Sequence, residues 1–304
     1  MVSMNHTIRL GTRGSRLALI QTGEIHTMLV NTFPGLEITV KIIKTEGDSD
    51  RTSPLTHFGG RGAFVRSLES ALLSGEIDAA IHSLKDLPSR LPAGLVLGAV
   101  PVREDPRDVL VSRDGKDIMS LPSGSMIATG SERRKAQIRC LRSDIIFTGI
   151  RGNVETRLRK LNSGKIDAIV LAAAGLKRLG LESRISQFLE YELVIPAPCQ
   201  GALGVECRAD DDETRTILSR INNTDIRTCV DAERAFIATL EMGCHMPIGA
   251  FAWIDGDTIV FSAFVAYGKK GKILRKTCRT LKKNVLNEVY EMALQFREQT
   301  EQSS

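Results

Sequence analysis

Four polar side chains follow a short apolar run near residue 80. Residues 77–81 are apolar and predict a strand that is buried on both faces, as in a parallel sheet. The polar residues that come next are His82, Ser83, Lys85 and Asp86. Because ligands of open α/β sheets bind beyond the carboxyl ends of strands, this placement predicts a ligand crevice. Asp86 is an anion separated by one residue from Pro88, where backbone freedom is restricted, and it is the central residue of this run. A turn that only solvates the strand end is the alternative.

Arginines are concentrated at predicted strand exits and helix starts. They are Arg13, Arg133, Arg134, Arg151, Arg157 and Arg178, and the hydroxyls of Ser15, Thr129 and Ser131 lie in the same segments. A cation at a helix N-terminus opposes the helix dipole, so this placement lowers stability unless an anion binds there. Since a guanidinium pairs with a carboxylate through two hydrogen bonds, the pattern predicts a ligand with several carboxylates or phosphates. Surface solvation of the arginines is the alternative, and a helix N-cap is the alternative for Ser15.

Composition limits the class of protein. The chain has 304 residues, 42% hydrophobic and 25% charged, which is ordinary for a globular protein with two or three domains. Lys and Arg number 41 against 36 Asp and Glu, and aromatic residues make up 5%, so nucleic acid is not an expected partner. No run approaches membrane-spanning length, and residues 1–10 lack the apolar core of a signal peptide. We therefore expect a cytoplasmic protein, starting at Met1 or Met4.

Six cysteines are present, and none forms a C-x-x-C pair, so we expect reduced thiols. Cys244 follows directly on Gly243, which ends a predicted helix before a predicted sheet. A loop of this kind presents a thiol well, although a small buried residue filling a gap is the alternative. A protease-like pair with His245 is a poor fit because adjacent side chains rarely face each other. A zinc site lacks the remaining ligands, and we expect no metal.

A repeated pattern predicts two lobes of the same plan. Residues 72–79 match residues 161–168, and each match is a helix end, a glycine cap and a strand start. Residues 12–18 echo residues 129–136 in the same order along the chain. The fold class expected from these matches is α/β, with two doubly wound lobes.

Proline-bracketed segments and a change in composition give the domain boundaries. The segments are residues 101–107 and 195–202, which suit crossings between two lobes with the ligand in the cleft. Beyond residue 222 a helix capped by Asp225, three antiparallel strands and a closing helix predict a small α+β domain. The predicted domains are residues 1–100 with 196–218 for lobe 1, 101–195 for lobe 2 and 219–304 for the C-terminal domain. Residues 45–66 are rich in glycine and predict a mobile lid.

Six motifs spread along the chain form one combination. They are residues 12–15, 82–88, 103–108, 151–154, 174–180 and 243–249. Together, from about residue 8 to residue 282, they closely resemble the porphobilinogen deaminase (hydroxymethylbilane synthase) family. The resemblance implies three domains, of which the first two are like type II periplasmic binding proteins. It also implies a transferase of tetrapyrrole (haem-type) biosynthesis, in which four porphobilinogen units are added in turn to a dipyrromethane cofactor. Each addition releases ammonia, and hydrolysis then releases hydroxymethylbilane.

The resemblance also implies roles for individual residues. Asp86 would stabilise the cationic azafulvene that deamination creates, and Cys244 would carry the cofactor through a thioether. The other implied cofactor-binding residues are Lys85, Thr129, Ser131, Arg133, Arg134, Arg151 and Arg157. The implied substrate-binding residues are Arg13, Ser15, Gln21, Phe64, Ser83 and Arg178. For Phe64 stacking on a planar ligand is the functional hypothesis, and a core phenylalanine is the alternative. Each pyrrole carries an acetate and a propionate, which would explain the arginines, and a monomer is implied.

Some positions depart from the family pattern. The lid has His57 and Arg61 where lysines are usual, and Glu46 where a basic residue is common. Met242 and His245 flank the Gly-Cys pair in place of glycine and glutamine, and the closing region is shorter than usual. Two other hypotheses therefore stay open: a cytosolic module that binds a polycarboxylate, and a relative with low activity because of its altered lid. The intact mass of the purified protein separates the transferase from the binding module.

Overall fold

The structure is a computed structural model that describes residues 7–44, 65–240, 246–268 and 271–302. Residues 45–64 of the predicted lid, which include Phe64, and Cys244 lie outside these residues, and the last two lid positions, Val65 and Arg66, form the start of a helix. The strands are β1 Thr7–Thr12, β2 Glu37–Ile42, β3 Ala79–Ser83, β4 Leu95–Ala99, β5 Asp108–Ser112, β6 Met126–Ala128, β7 Ile146–Thr148, β8 Ala168–Ala172, β9 Gln187–Leu189, β10 Leu203–Arg208, β11 Ile248–Asp255, β12 Thr258–Tyr267 and β13 Lys272–Leu281. The α-helices are α1 Arg16–Thr32, α2 Arg66–Leu73, α3 Glu132–Leu141, α4 Val154–Asn162, α5 Ala173–Arg178, α6 Asp212–Ser219, α7 Thr224–Leu240 and α8 Val285–Glu301.

The chain divides into two compact units. Unit 1 comprises residues 1–103 and 202–227, and unit 2 comprises residues 104–201 and 228–304. The C-terminal sheet therefore groups with the second lobe of the chain. The three-domain boundaries derived from the sequence stay a prediction.

Unit 1 is built on a five-stranded sheet in the order β2-β1-β3-β10-β4. β1 runs parallel to β2 and β3, whereas β10 runs antiparallel to both β3 and β4. Both faces of β3 are buried: Ile81 packs in the cluster that holds α1, and Ala80 packs in the cluster that holds α2. This confirms the expected doubly covered strand, although β3 begins at Ala79 instead of Ile77. The backbone N–H of Ile77 donates to Ala71 O at 3.2 Å, so it belongs to the end of α2 and not to the sheet.

Unit 2 contains a second five-stranded sheet, in the order β7-β6-β8-β5-β9. β6 runs parallel to β7 and β8, and β5 runs antiparallel to β8 and β9. The two sheets thus share one plan, with the antiparallel strand in the fourth position of each. The matched segments fall at equivalent places: α2 to β3 in one unit and α4 to β8 in the other, and β1 to α1 in one and β6 to α3 in the other. The sequence repeat is therefore a repeat of structure.

The C-terminal part of unit 2 is an antiparallel sheet in the order β11-β12-β13, covered by α7 and α8. Its core is aromatic: the Phe236 ring centroid lies 5.4 Å from that of Phe261 and 5.6 Å from that of Phe296. The predicted hairpin turn lies between β11 and β12. The expected cap of α7 is wrong, because Asn223 Oδ1 and not Asp225 accepts the N–H groups of the first turn, at 3.1 Å. Within the described residues no helix has the length and apolar character needed to cross a membrane.

Candidate functional site

Asp86 lies at the end of a one-turn 3-10 helix, Leu84–Asp86, directly after β3. Leu84 is 1% exposed and Leu87 is 6% exposed, so the turn is anchored on both sides by buried leucines. Its backbone is tied to the sheet, since the Leu84 N–H donates to Ala202 O at 3.0 Å. Between these anchors the carboxylate of Asp86 is exposed. The sequence prediction of a carboxylate presented at the carboxyl end of a buried strand is confirmed in its geometry.

Ser83 faces the N-terminal half of α1. The buried Gln21 amide nitrogen lies 2.8 Å from Ser83 Oγ, which joins α1 to the end of β3. Ser15 is the N-cap of α1, because its hydroxyl accepts the Ala18 N–H at 3.3 Å. Arg13 lies in the connection before this cap and is half-buried. Since β1 and β3 are parallel neighbours, these groups and Asp86 occur at the same edge of the sheet of unit 1.

Three ionisable groups are buried on the other face of β3. His82 Nε2 lies 3.0 Å from Glu206 Oε2, and their side chains are 5% and 0% exposed. Glu69 on α2 lies nearby and is also buried. Burial and the neighbouring Glu206 raise the pKa of Glu69 above its usual range, whereas His82 and Arg66 act in the opposite direction. β3 extends through His82 and Ser83, two residues beyond the expected end at Ile81, and these two polar side chains therefore lie on opposite faces: Ser83 faces α1, and His82 is buried on the α2 side.

The connection from β6 to α3 in unit 2 carries two predicted hydroxyl groups. Thr129 is buried, and its Oγ1 accepts the Ser131 N–H at 3.2 Å. Ser131 is the N-cap of α3 and accepts the Arg134 N–H at 3.4 Å. The two side chains therefore fix the start of the helix that carries both central arginines.

Arg133 and Arg134 converge on one buried carboxylate, that of Asp108. Arg133 Nη2 donates to Asp108 Oδ2 at 2.7 Å, while Arg134 donates to Asp108 Oδ1 from Nη2 at 2.7 Å and from Nε at 3.0 Å. Asp108 is 0% exposed. Burial by itself raises the pKa of this carboxyl, but the two guanidinium groups outweigh it and hold the pKa far below its usual range. The anion that these arginines require is thus supplied by the chain itself.

The remaining predicted arginines are more accessible. Arg151 is exposed and precedes the Asn153 cap of α4 by two residues, and Arg157 is half-buried on the first turns of that helix. Arg157 Nε donates to Gly152 O at 2.8 Å. Arg178, at the end of α5, donates from Nη1 to Gly201 O at 3.1 Å. Because β6, β7 and β8 are parallel, the three connections that carry all five arginines lie at one edge of this sheet.

Three further residues of this unit were not found as site residues from the sequence. Asp108 lies in the motif of residues 103–108, but no role was predicted for it from the sequence. Gln200 donates from Nε2 to Asp108 Oδ1 at 2.8 Å, and Glu233 accepts the Cys199 N–H at 2.5 Å. A signal for Asp108 exists, because an acid at the start of an apolar strand, residues 109–111, must be buried with a partner. Gln200 and Glu233 have no comparable local signal.

Comparison with known proteins identifies the family. Residues 8–216 match the model described as "Porphobilinogen deaminase, dipyromethane cofactor binding domain", and residues 227–294 match the model described as "Porphobilinogen deaminase, C-terminal domain". A porphobilinogen deaminase of Syntrophobacter fumaroxidans is 47% identical over 262 residues, which cover 86% of this chain and 85% of the relative. One of Roseiflexus sp. is 46% identical over 272 residues, which cover 90% and 89%.

Two solved structures are also similar, at a lower level. The second substrate-binding domain of Lactococcus lactis GlnP gives a TM-score of 0.45 at 11% identity, covering 73% of this chain and 90% of that domain. The BvgS VFT2 domain of Bordetella pertussis gives 0.43 at 16% identity, covering 76% and 91%. Similarity at this level says nothing about the ligand of this chain. The two family models, in contrast, are matched in order and across most of the sequence, so the chain belongs to the porphobilinogen deaminase family.

Proposed function

We propose that this protein is a porphobilinogen deaminase, a transferase that joins four porphobilinogen molecules head to tail on a dipyrromethane cofactor. Ammonia is released at each addition, and hydrolysis then releases hydroxymethylbilane. The observation that carries the proposal is the exposed Asp86 carboxylate, fixed at the carboxyl end of β3 within the part of the chain that matches the cofactor-binding model.

The proposed role of Asp86 is electrostatic. When the C–N bond of the porphobilinogen aminomethyl group breaks, ammonia leaves with the bonding electrons and a cation remains on the pyrrole. A C–C bond then forms to the free α-carbon of the growing chain, and that carbon loses its proton. A carboxylate held in place before the reaction stabilises the developing cation without paying for its own reorganisation. The anchors at Leu84 and Leu87 supply this preorganisation.

The residues at the edge of β6, β7 and β8 fit a dipyrromethane by the chemistry of their donors. Guanidinium and hydroxyl groups bind carboxylates, and the acetate and propionate groups of two pyrroles present four carboxylates. We assign direct contact with these carboxylates to Arg151 and Arg157, which are the more accessible arginines. Arg133 and Arg134 would act with them, with their guanidinium groups oriented by Asp108. When bound, the cofactor supplies the pyrrole α-carbon on which the chain grows.

The site of attachment and the surroundings of the enzyme are also part of the proposal. Cys244 would hold the cofactor through a thioether, on the strength of its place in the Gly-Cys-x-x-Pro motif. We further propose that the protein acts as a monomer in the cytoplasm, without nucleic-acid or membrane partners. The small excess of basic residues, 41 Lys and Arg against 36 Asp and Glu, and an aromatic content of 5% support the absence of a nucleic-acid partner.

The test is the intact mass of the protein purified from cells, together with hydroxymethylbilane formation. The parent should be heavier than its sequence by two pyrrole units, and Cys244→Ser should have the bare mass and no activity. Cys140→Ser is the matched control, because Cys140 is an exposed thiol on α3. This variant should keep both the mass added to its sequence and the activity. An unmodified parent that makes hydroxymethylbilane at full rate would overturn the covalent attachment, and a parent that makes no hydroxymethylbilane from porphobilinogen would overturn the proposed activity.

A further inference from the structure

Residues 195–201, which we call the connecting segment, are held by side chains from several elements of unit 2. Gln137 on α3 pairs with both backbone groups of Ile195: its Oε1 accepts the N–H at 2.8 Å, and its Nε2 donates to the carbonyl oxygen at 3.0 Å. Arg133 Nη1 donates to the same carbonyl oxygen at 2.6 Å. The first residue of the segment is therefore tied to the helix of the two central arginines.

The other end of the connecting segment is tied to Asp108 and to α5. Gln200 Nε2 donates to Pro106 O and to Asp108 Oδ1, each at 2.8 Å. The Gly201 carbonyl accepts from Arg178 Nη1 at 3.1 Å. Gly201 has φ +86°, and a Cβ there would lie 2.1 Å from Glu104 O, so this position requires glycine.

Glu233 joins the middle of the connecting segment to the C-terminal sheet. Its Oε2 accepts the Cys199 N–H at 2.5 Å, and its Oε1 accepts the Ala252 N–H on β11 at 2.8 Å. Glu233 is 0% exposed. Cys199 has φ +61° and, in the part of the chain that the structure describes, is the one non-glycine residue with a positive φ. A strained backbone of this kind persists only where its surroundings determine it, and the carboxylate of Glu233 does so here.

We infer that Glu233 is a positioning residue that fixes α7 against the arginine-bearing edge so that the cofactor can be acquired. This role rests on the proposed attachment of the cofactor to Cys244. Glu233 lies on the helix that leads to Cys244 and contacts the connecting segment, which leads to the central arginines. Glu233 belongs to α7, which ends at Leu240, and the chain reaches Cys244 four residues later. The same carboxylate accepts the N–H of Cys199, and the next residue, Gln200, donates to Asp108. Asp108 in turn pairs with both central arginines.

The position of α7 relative to the arginine-bearing edge matters because both steps of cofactor acquisition take place at the cysteine that follows α7. In the first step a C–S bond forms between the cysteine sulfur and the methylene carbon of porphobilinogen, the C–N bond breaks, and ammonia takes the thiol proton. In the second step the C–N bond of a second porphobilinogen breaks, a C–C bond forms between its methylene carbon and the free α-carbon of the first pyrrole, and the proton of that α-carbon leaves with the second ammonia. Each step requires the acid side chains to bind while the reacting carbon is within reach, and a displacement of about 1 Å can slow such a step on the order of a hundredfold.

The test follows the acquisition of two pyrrole units over time. Full-length protein made in cells that cannot synthesise porphobilinogen is mixed with porphobilinogen, and intact mass and a cysteine-containing peptide map are recorded. We expect Glu233→Ala to acquire the cofactor roughly tenfold to a hundredfold more slowly than the parent. Glu233→Gln should be intermediate, because its single amide oxygen still accepts one N–H group. The matched control is Met292→Ala, which opens a cavity in the C-terminal core on α8 without removing a hydrogen-bond partner of Glu233, and lowers the melting temperature.

The outcomes separate the two proposals. Met292→Ala should load at the parental rate despite its lower melting temperature, since Glu233 keeps both of its hydrogen-bond partners, Cys199 and Ala252. Loading of Glu233→Ala within about twofold of the parent, or equal slowing in Met292→Ala, would leave Glu233 with a structural role only. Should Glu233→Ala fail to fold, Glu233→Gln is judged by the same threshold. A parent that gains no mass on Cys244 refutes the proposed attachment instead, whatever the variants do.

Discussion

Replacement of Asp108 by asparagine should strongly destabilise unit 2. The carboxylate is 0% exposed and accepts hydrogen bonds from Arg133, Arg134 and Gln200. Asparagine keeps the shape but loses the charge, and it turns an NH2 group towards one of the guanidinium donors. Removing one partner of a buried ion pair leaves an uncompensated charge and costs roughly 3–5 kcal/mol. For a unit of this size that loss corresponds to a melting temperature lower by about 6–20 °C.

The pH dependence gives an independent check of the same cluster. The pKa of Asp108 in the folded protein lies below the value of about 3.9 expected in the unfolded chain. A group with a depressed folded pKa contributes stability above the unfolded pKa, and that contribution is lost as the pH falls towards the folded value. The stability difference between the parent and Asp108→Asn should therefore be full at pH 7 and shrink below about pH 4.

The assay is urea unfolding followed by circular dichroism at pH 7 and at several lower pH values. Asp144→Asn is the matched control, since it breaks an ion pair with Arg142 of the same 2.7 Å length at the surface of unit 2, and it should change stability far less. If the free energy of unfolding of Asp108→Asn lay within about 1 kcal/mol of that of the parent at pH 7, the two guanidinium groups would have to be stabilised without the carboxylate. The assignment of Asp108 as the organiser of the arginine pair would then be refuted.

Three further predictions address catalysis, binding and acid stability. Asp86→Asn should lower kcat by about two to three decades, and Asp86→Glu should retain more activity because it keeps the charge; ammonia release measured on cofactor-loaded protein tests both. Leucine in place of Arg151 or Arg157 should block cofactor acquisition or chain growth and leave the circular dichroism spectrum unchanged; a variant that made hydroxymethylbilane at the parental rate would contradict this. Burial raises the pKa of Asp78, but the bonds from Arg9 lower it to about 2. The stability that Asp78 adds should accordingly be lost as the pH falls from about 4 to about 2. In Asp78→Asn the free energy of unfolding should not show this decrease.

The sequence predicted the lobes because local patterns repeat in them. Apolar alternation, glycine caps and polar strand exits are properties of residues that are neighbours in sequence. In the structure, residues 72–79 and 161–168 form equivalent connections between a helix and the third strand of each five-stranded sheet. The antiparallel partner strands were not predicted in their places. β10 enters the first sheet from more than a hundred residues beyond β4, and no local pattern states which strand it will join.

For the buried arginines, the sequence predicted the need for an anion but not which residue supplies it. Arginines at a helix start correctly indicated that an anion was needed, since burying two guanidinium groups without one is unfavourable. The sequence could not say where the anion comes from, because Asp108 is 25 residues from Arg133 and 92 from Gln200 along the chain. The same physics separates the arginines into two groups. Arg133 and Arg134, which the fold already supplies with the carboxylate of Asp108, serve first to hold this edge of the sheet in shape, and Arg151 is exposed and is the residue for which we propose contact with a ligand carboxylate.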